Sequence, residues 1–181
     1  MSKVNVYHPC TTRISYHQER GDPNYGACLW ADFDFDSEQY TLKIMSDCGN
    51  YAYGWVPTPQ SESFFDLCRR IDPDYLLSKL SSETVINIKS TAENVIESVY
   101  LNMEYCPDLE DGWEELLKAD LSVRGTDVEI ADYIVRFAGE HNIDLDGYDA
   151  WQCIEKDYPA GAKRIVQIFE TYIKPKIPKG R

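Results

Sequence analysis

Four runs between Thr11 and Val56 alternate apolar and polar residues, and after Ser63 the period becomes helical. That switch constrains the fold most, because a period of two and a period of 3.6 bury different faces. Thr11–His17, Gly26–Asp36, Tyr40–Ser46 and Tyr51–Val56 read as strands, joined by short links rich in turn residues. Such a series predicts an antiparallel meander, stopped by Pro57-Thr58-Pro59-Gln60. Helices follow. Ser61 or Ser63 caps a run with Phe64, Phe65, Leu67 and Cys68, and Asp72-Pro73 opens a second helix. Apolar spacing predicts a helix over 91–105, and another runs from Asp111 to Leu121. Thr126 and Glu129 form a capping box, and 146–157 and 159–173 complete the set. Pro175 and Pro178 end the last helix and predict a frayed tail. The fold class is α+β, an N-terminal antiparallel β-meander covered by helices and followed by a helical C-terminal half. The expected division is 1–82, the meander with two short covering helices, and 83–181, an acidic helical region packed with it as one unit.

A chain of 181 residues buries enough surface to need no disulfide or structural metal. Its six cysteines, at 10, 28, 48, 68, 106 and 153, are never closer than 18 residues, so no C-x-x-C knuckle exists. Reduced thiols, no metal and no cofactor are expected. No apolar run approaches the roughly 20 residues of a membrane span. Met1–Val6 has no signal-peptide core, which predicts a protein of the cytoplasm.

Charge is unevenly placed. Residues 91–157 hold 18 acids and 4 bases, whereas residues 158–181 hold 1 acid and 6 bases. The formal charge of the chain is −13, which argues against a general nucleic-acid binder. The densest acids, Asp108, Glu110, Asp111, Glu114 and Glu115, surround Trp113 and form the candidate docking surface for a basic partner. The basic tail, Lys174, Lys176, Lys179 and Arg181, offers a less favoured contact to DNA phosphates.

Other constellations read as structural. Asp32, Asp34 and Asp36 share a strand face and resemble the start of a calcium loop, but Ser37 and Lys43 occupy positions that such a loop gives to Gly and Glu. Residues 142–147 fail similarly at Cys153, and Asp146 reads as a helix cap. Tyr51, Tyr53 and Trp55 share a face suited to packing or base stacking, and the scarcity of nearby bases favours packing. No P-loop, G-x-S-x-G or H-E-x-x-H occurs, so the chain reads as non-enzymatic. The alternative is a small enzyme using a carboxylate cluster, or Cys48 with a histidine such as His17.

Lys43–Trp55 (K-I-M-S-D-C-G-N-Y-A-Y-G-W), Phe64–Cys68 and Ile71–Leu80 form one pattern. A strand leads to an S-D-x-G-N-Y turn, an aromatic strand, and a helix ending I-D-x-x-Y-L-x-x-K-L. Over about residues 10–82 this resembles small phage and prophage proteins of gut Firmicutes, some of which inhibit type II CRISPR effector nucleases. The resemblance implies a host RNA-guided nuclease as partner and inhibition as the activity.

Overall fold

The structure is a computed structural model that describes residues 6, 9–22, 25–57, 62–102, 126–140 and 145–179, with only the backbone at 99–102. The expected helix at 111–121 and the acids Asp108, Glu110, Asp111, Glu114 and Glu115 lie outside these residues. The chain forms two compact units, Met1–Glu83 with Tyr158–Arg181, and Thr84–Asp157.

The first unit is built on the meander. Strands β1 (Thr11–His17), β2 (Trp30–Asp36), β3 (Thr41–Ser46) and β4 (Tyr51–Gly54) pair in sequence order, all antiparallel. Alternation fixes the register, since a slip of one residue would put Phe33 and Phe35 in water and Asp34 in the core. Ile14, Phe33, Ile44 and Tyr51 stand opposite one another across the inner face, as do Thr12, Phe35, Leu42 and Tyr53. Phe33, Phe35 and Leu42 are fully buried.

Helices cover that face. Helix α1 (Phe64–Arg70) starts where the Ser63 hydroxyl accepts the Asp66 N–H, and α2 (Pro73–Leu80) where Asp72 accepts the N–H groups of Asp74 and Tyr75. Ser63, not Ser61, is thus the cap of the first helix. The C-terminal helix, Ala160–Ile168, passes into a wider π turn at Phe169–Ile173 and a 3-10 turn at Lys174–Lys176. Ile165, Phe169, Ile173 and Ile177 repeat every four residues, and all are buried. In an α-helix each such step rotates the stripe by about 40°. The wider π turn takes up that drift and keeps Phe169 on the sheet, 6.1 Å from Phe33. The tail expected to fray is instead packed through Ile177, a core residue. The sequence reading grouped 158–181 with the acidic helices, whereas the structure packs this segment into the first unit.

The second unit contains α3 (Ile88–Asn102), α4 (Asp127–Glu140) and α5 (Gly147–Cys153). Its ends meet in a short antiparallel pair, β5 (Val85–Ile86) and β6 (Lys156–Asp157). Buried Thr91 locks that junction, since its hydroxyl accepts the Glu155 N–H at 3.0 Å. Asn94 donates to the Cys153 carbonyl at 3.2 Å. Helix α3 starts at 88, earlier than its apolar stripe suggests, because Asn87 accepts the Ser90 N–H. The helix expected over 146–157 stops at Cys153 so that 156–157 can pair. After β6 the chain returns to the first unit through Ala160–Ile168, helix α6.

Candidate functional site

The division into units sharpens the charge pattern. The first unit holds 13 acids and 13 bases, a net charge of zero, and Thr84–Asp157 holds 18 acids and 5 bases, the whole −13 of the chain. The predicted contacts Asp108, Glu110, Asp111, Glu114 and Glu115 belong to this segment but lie outside the described residues. Among the described residues, Glu93, Glu97, Glu129, Asp132, Glu140, Asp146 and Glu155 are exposed. On α4 the buried stripe of Ile130, Ile134, Phe137 and Ala138 turns Glu129, Asp132 and Glu140 to solvent. The bases do little to neutralise them. Lys156 pairs with Asp127 at 2.5 Å, Lys89 with Glu93 at 3.6 Å, and the Arg136 guanidinium lies 5.5 Å over the Tyr133 ring.

A second constellation lies in the first unit, at the turn between β3 and β4. Every position of its S-D-x-G-N-Y motif has a local job. The Ser46 hydroxyl donates to the Gly49 carbonyl at 2.5 Å and accepts the Cys48 N–H at 3.3 Å. Gly49 has φ +128°, and a side chain there would also strike the Tyr51 ring. Asn50 accepts the Ser46 N–H, and the Tyr51 hydroxyl donates to the Cys48 carbonyl at 3.1 Å. Asp47 reaches across to the chain before β2 and accepts the Leu29 N–H at 2.9 Å, the Trp30 N–H at 3.4 Å and the Cys28 thiol at 3.2 Å.

The result is a thiol–carboxylate–thiol cluster. One ligand atom from each of Cys28, Asp47 and Cys48 lies within 4.8 Å of the others. Cys28 is buried, Cys48 half-buried and Asp47 exposed. Burial pushes the Cys28 thiol far above its ordinary pKa, and the neighbouring Cys48 and Asp47 push the same way. Burial also pulls the Asp47 pKa upward, but the donors from Leu29, Cys28 and Trp30 outweigh it and hold the carboxyl below its usual value. The sulphur neighbour of Cys48 is thus Cys28. His17, the partner weighed from sequence, is exposed on β1 and lines a separate groove. The signal for the Cys28–Cys48 approach was the β2–β3 register, because extending Ala31↔Ser46 outward by two residues sets 29 opposite 48.

The remaining candidates resolve into structure. Asp34 takes a bidentate pair from Arg13 at 2.6 Å, and Asp32 accepts the Ser15 hydroxyl at 2.6 Å. Asp36 is buried and caps the β2–β3 turn through the N–H groups of Glu38 and Gln39. Arg13 also reaches Asp32 at 3.4 Å, so the carboxylates are matched by neighbours on the sheet and the turn, as a structural strand face requires. Asp146 caps α5. Tyr53 and Trp55 pack edge to face at 4.8 Å, and Trp55 meets Phe64 at 5.8 Å, so these rings serve the core. Lys174 donates to Glu170 and to the Ile71 carbonyl, each at 2.8 Å, so one member of the basic tail is a structural tie. A groove of about 700 Å³ runs along residues 14–22, Tyr172, Ile173 and Lys176. Its rim mixes Arg20 and Lys176 with Glu19 and Asp22, and so selects neither charge. No helix among the described residues is long and apolar enough to cross a membrane.

Residues 6–179 match the model of a phage family, Phage_phiTE_072. The chain belongs to that phage family. The phage kinship read from Lys43–Leu80 thereby extends over nearly the whole sequence, including the acidic segment. No curated protein and no solved structure matches the chain.

Proposed function

We propose that this phage protein is a non-enzymatic inhibitor that binds a host type II CRISPR effector nuclease through its acidic segment, in the cytoplasm of the host. The observation that carries the reading is the concentration of the whole −13 on Thr84–Asp157 beside a neutral first unit. An RNA-guided nuclease holds its heteroduplex in a positively charged channel and reads its PAM with arginines. Carboxylates presented from helices imitate phosphates to such a surface, and bidentate arginine pairs add geometry to charge. The field reaches about 8–10 Å in ordinary salt, enough to steer the encounter.

The test is target cleavage by guide-loaded type II nucleases, with the protein titrated across a salt series. Inhibition near equimolar ratio that weakens as salt rises is expected. Reversing Asp108, Glu110, Asp111, Glu114 and Glu115 to Lys should weaken binding at least roughly tenfold and flatten its salt dependence. Absence of inhibition with several such nucleases would remove the reading, and unchanged binding by the reversed variant would remove the assignment of these contacts.

A further inference from the structure

The loop before β2 and the turn after β3 bring together three metal-ligating side chains that no sequence spacing announces. We propose that Cys28, Asp47 and Cys48 form a binding site for a borderline-soft divalent cation, Zn²⁺ above all. The inference concerns the neutral unit and is independent of the inhibitor reading.

The geometry carries it. The three donor atoms lie within 4.8 Å of one another, and Cys28 Sγ is 3.2 Å from Asp47 Oδ1. A tetrahedral Zn²⁺ with bonds of about 2.3 Å to sulphur has ligand–ligand edges of roughly 3.7 Å. The cluster thus closes on an ion with side-chain movements of about 1 Å, a rotamer adjustment and not a refolding. Two thiolates and a carboxylate over-neutralise a divalent charge, and sulphur ligands disfavour Mg²⁺ and Ca²⁺.

The surroundings support the ligands. Backbone N–H groups of Leu29 and Trp30 orient the Asp47 carboxylate, and the Ser46 hydroxyl lies 3.8 Å from Cys48 Sγ. Tyr51 holds the Cys48 carbonyl from one side. Burial is graded from exposed Asp47 through Cys48 to buried Cys28, which gives the ion an entry side and a dry end. Without an ion, the Cys28 thiol donates to Asp47. On binding, the ion takes the place of that proton, both thiols release their protons to solvent, and two metal–thiolate bonds and one metal–carboxylate bond form. Three protein ligands leave the fourth tetrahedral position to water.

The experiment uses the full chain with Cys10 and Cys106 replaced by Ser, reduced and freed of metal with a chelator. Zn²⁺ is titrated in competition with a chromophoric chelator, and Co²⁺ serves as the spectroscopic probe. One equivalent of ion, a thiolate-to-Co²⁺ charge-transfer absorption, and two sulphur neighbours at about 2.3 Å in the Zn X-ray absorption spectrum are expected. Cys48→Ser should roughly halve the charge-transfer absorption at saturation and lower affinity at least roughly 100-fold, with far-UV circular dichroism unchanged because the side chain is half-buried and similar in size. Asp47→Asn should keep the band and bind more weakly. Reduced protein that takes up no stoichiometric ion overturns the proposal. So does an affinity left unchanged by Cys48→Ser, or a zinc spectrum without sulphur neighbours.

Discussion

Gly161 shows how a single residue positions the 46–51 turn. It lies in the first turn of α6, and a methyl group there would stand 2.3 Å from the Cys48 carbonyl oxygen and 3.2 Å from the Tyr51 hydroxyl. The obstacle is backbone, which cannot rotate away. Gly161→Ala should therefore destabilise by about 1–3 kcal/mol, although alanine is the better helix former. Urea unfolding checks this, and a variant as stable as the wild type would mean that α6 and the turn separate freely. Asp47 acts on the other side of the same turn. Its pKa is lowered in the folded state, so its contribution is present above the unfolded value of about 3.9 and is lost as the pH falls through the lowered value. In metal-free protein, Asp47→Asn should cost about 1 kcal/mol at pH 7, and the difference should vanish in strong acid. A constant difference across that range would mean that the ionised carboxylate contributes nothing. Neither role was legible in the sequence, where Gly161 is an ordinary glycine and Cys28 and Asp47 lie 19 residues apart.

Elements were legible in proportion to their length and periodicity. The four strands of the meander follow from alternation, because buried Phe33 and Phe35 can face only one way while Asp32 and Asp34 find Ser15 and Arg13 on the other. Helix starts were legible where a side chain caps them, as Ser63, Asp72, Asp146 and the Thr126–Glu129 box do. Strands β5 and β6 were not, since two residues carry no period. The π turn was not either, because Pro175 and Pro178 resemble an ordinary stop while the four-residue repeat from Ile165 to Ile177 continues the core past them. That repeat changes how the basic tail is tested. Deleting 174–181 removes buried Ile177 and the Lys174 tie along with the charges. The deletion should cost about 2–4 kcal/mol, a shift visible in thermal melting. Replacing exposed Lys176 and Lys179 with Gln should leave stability within about 0.5 kcal/mol. DNA binding lost in the deletion but kept in the double Gln variant would reflect unfolding and not phosphate contact.

At the scale of the molecule, charge and connectivity coincide. The acidic segment enters at β5 and leaves at β6, so it is an insertion whose ends are hydrogen-bonded together between α2 and α6. The sequence displayed the charge but hid this boundary, because 158–181 returns to the first unit across 74 intervening residues, and only the three-dimensional core joins Ile165 and Phe169 to Phe33. The consequence is physical. A unit at −13 opposes its own compactness by self-repulsion, and a neutral unit does not. Salt screens that repulsion, since the Debye length falls from roughly 30 Å at 0.01 M to roughly 3 Å at 1 M. Native-state hydrogen exchange at these two ionic strengths reads the units separately. Amides of α4 should gain protection by about tenfold or more at high sodium chloride, while amides of β2, whose Asp34 is already matched by Arg13, should change by less than about threefold. A uniform response would mean that the two units open together and share one electrostatic field. A selective response would show the segment keeping an unscreened negative charge, at a cost in its own stability, while the sheet of the first unit is indifferent to salt.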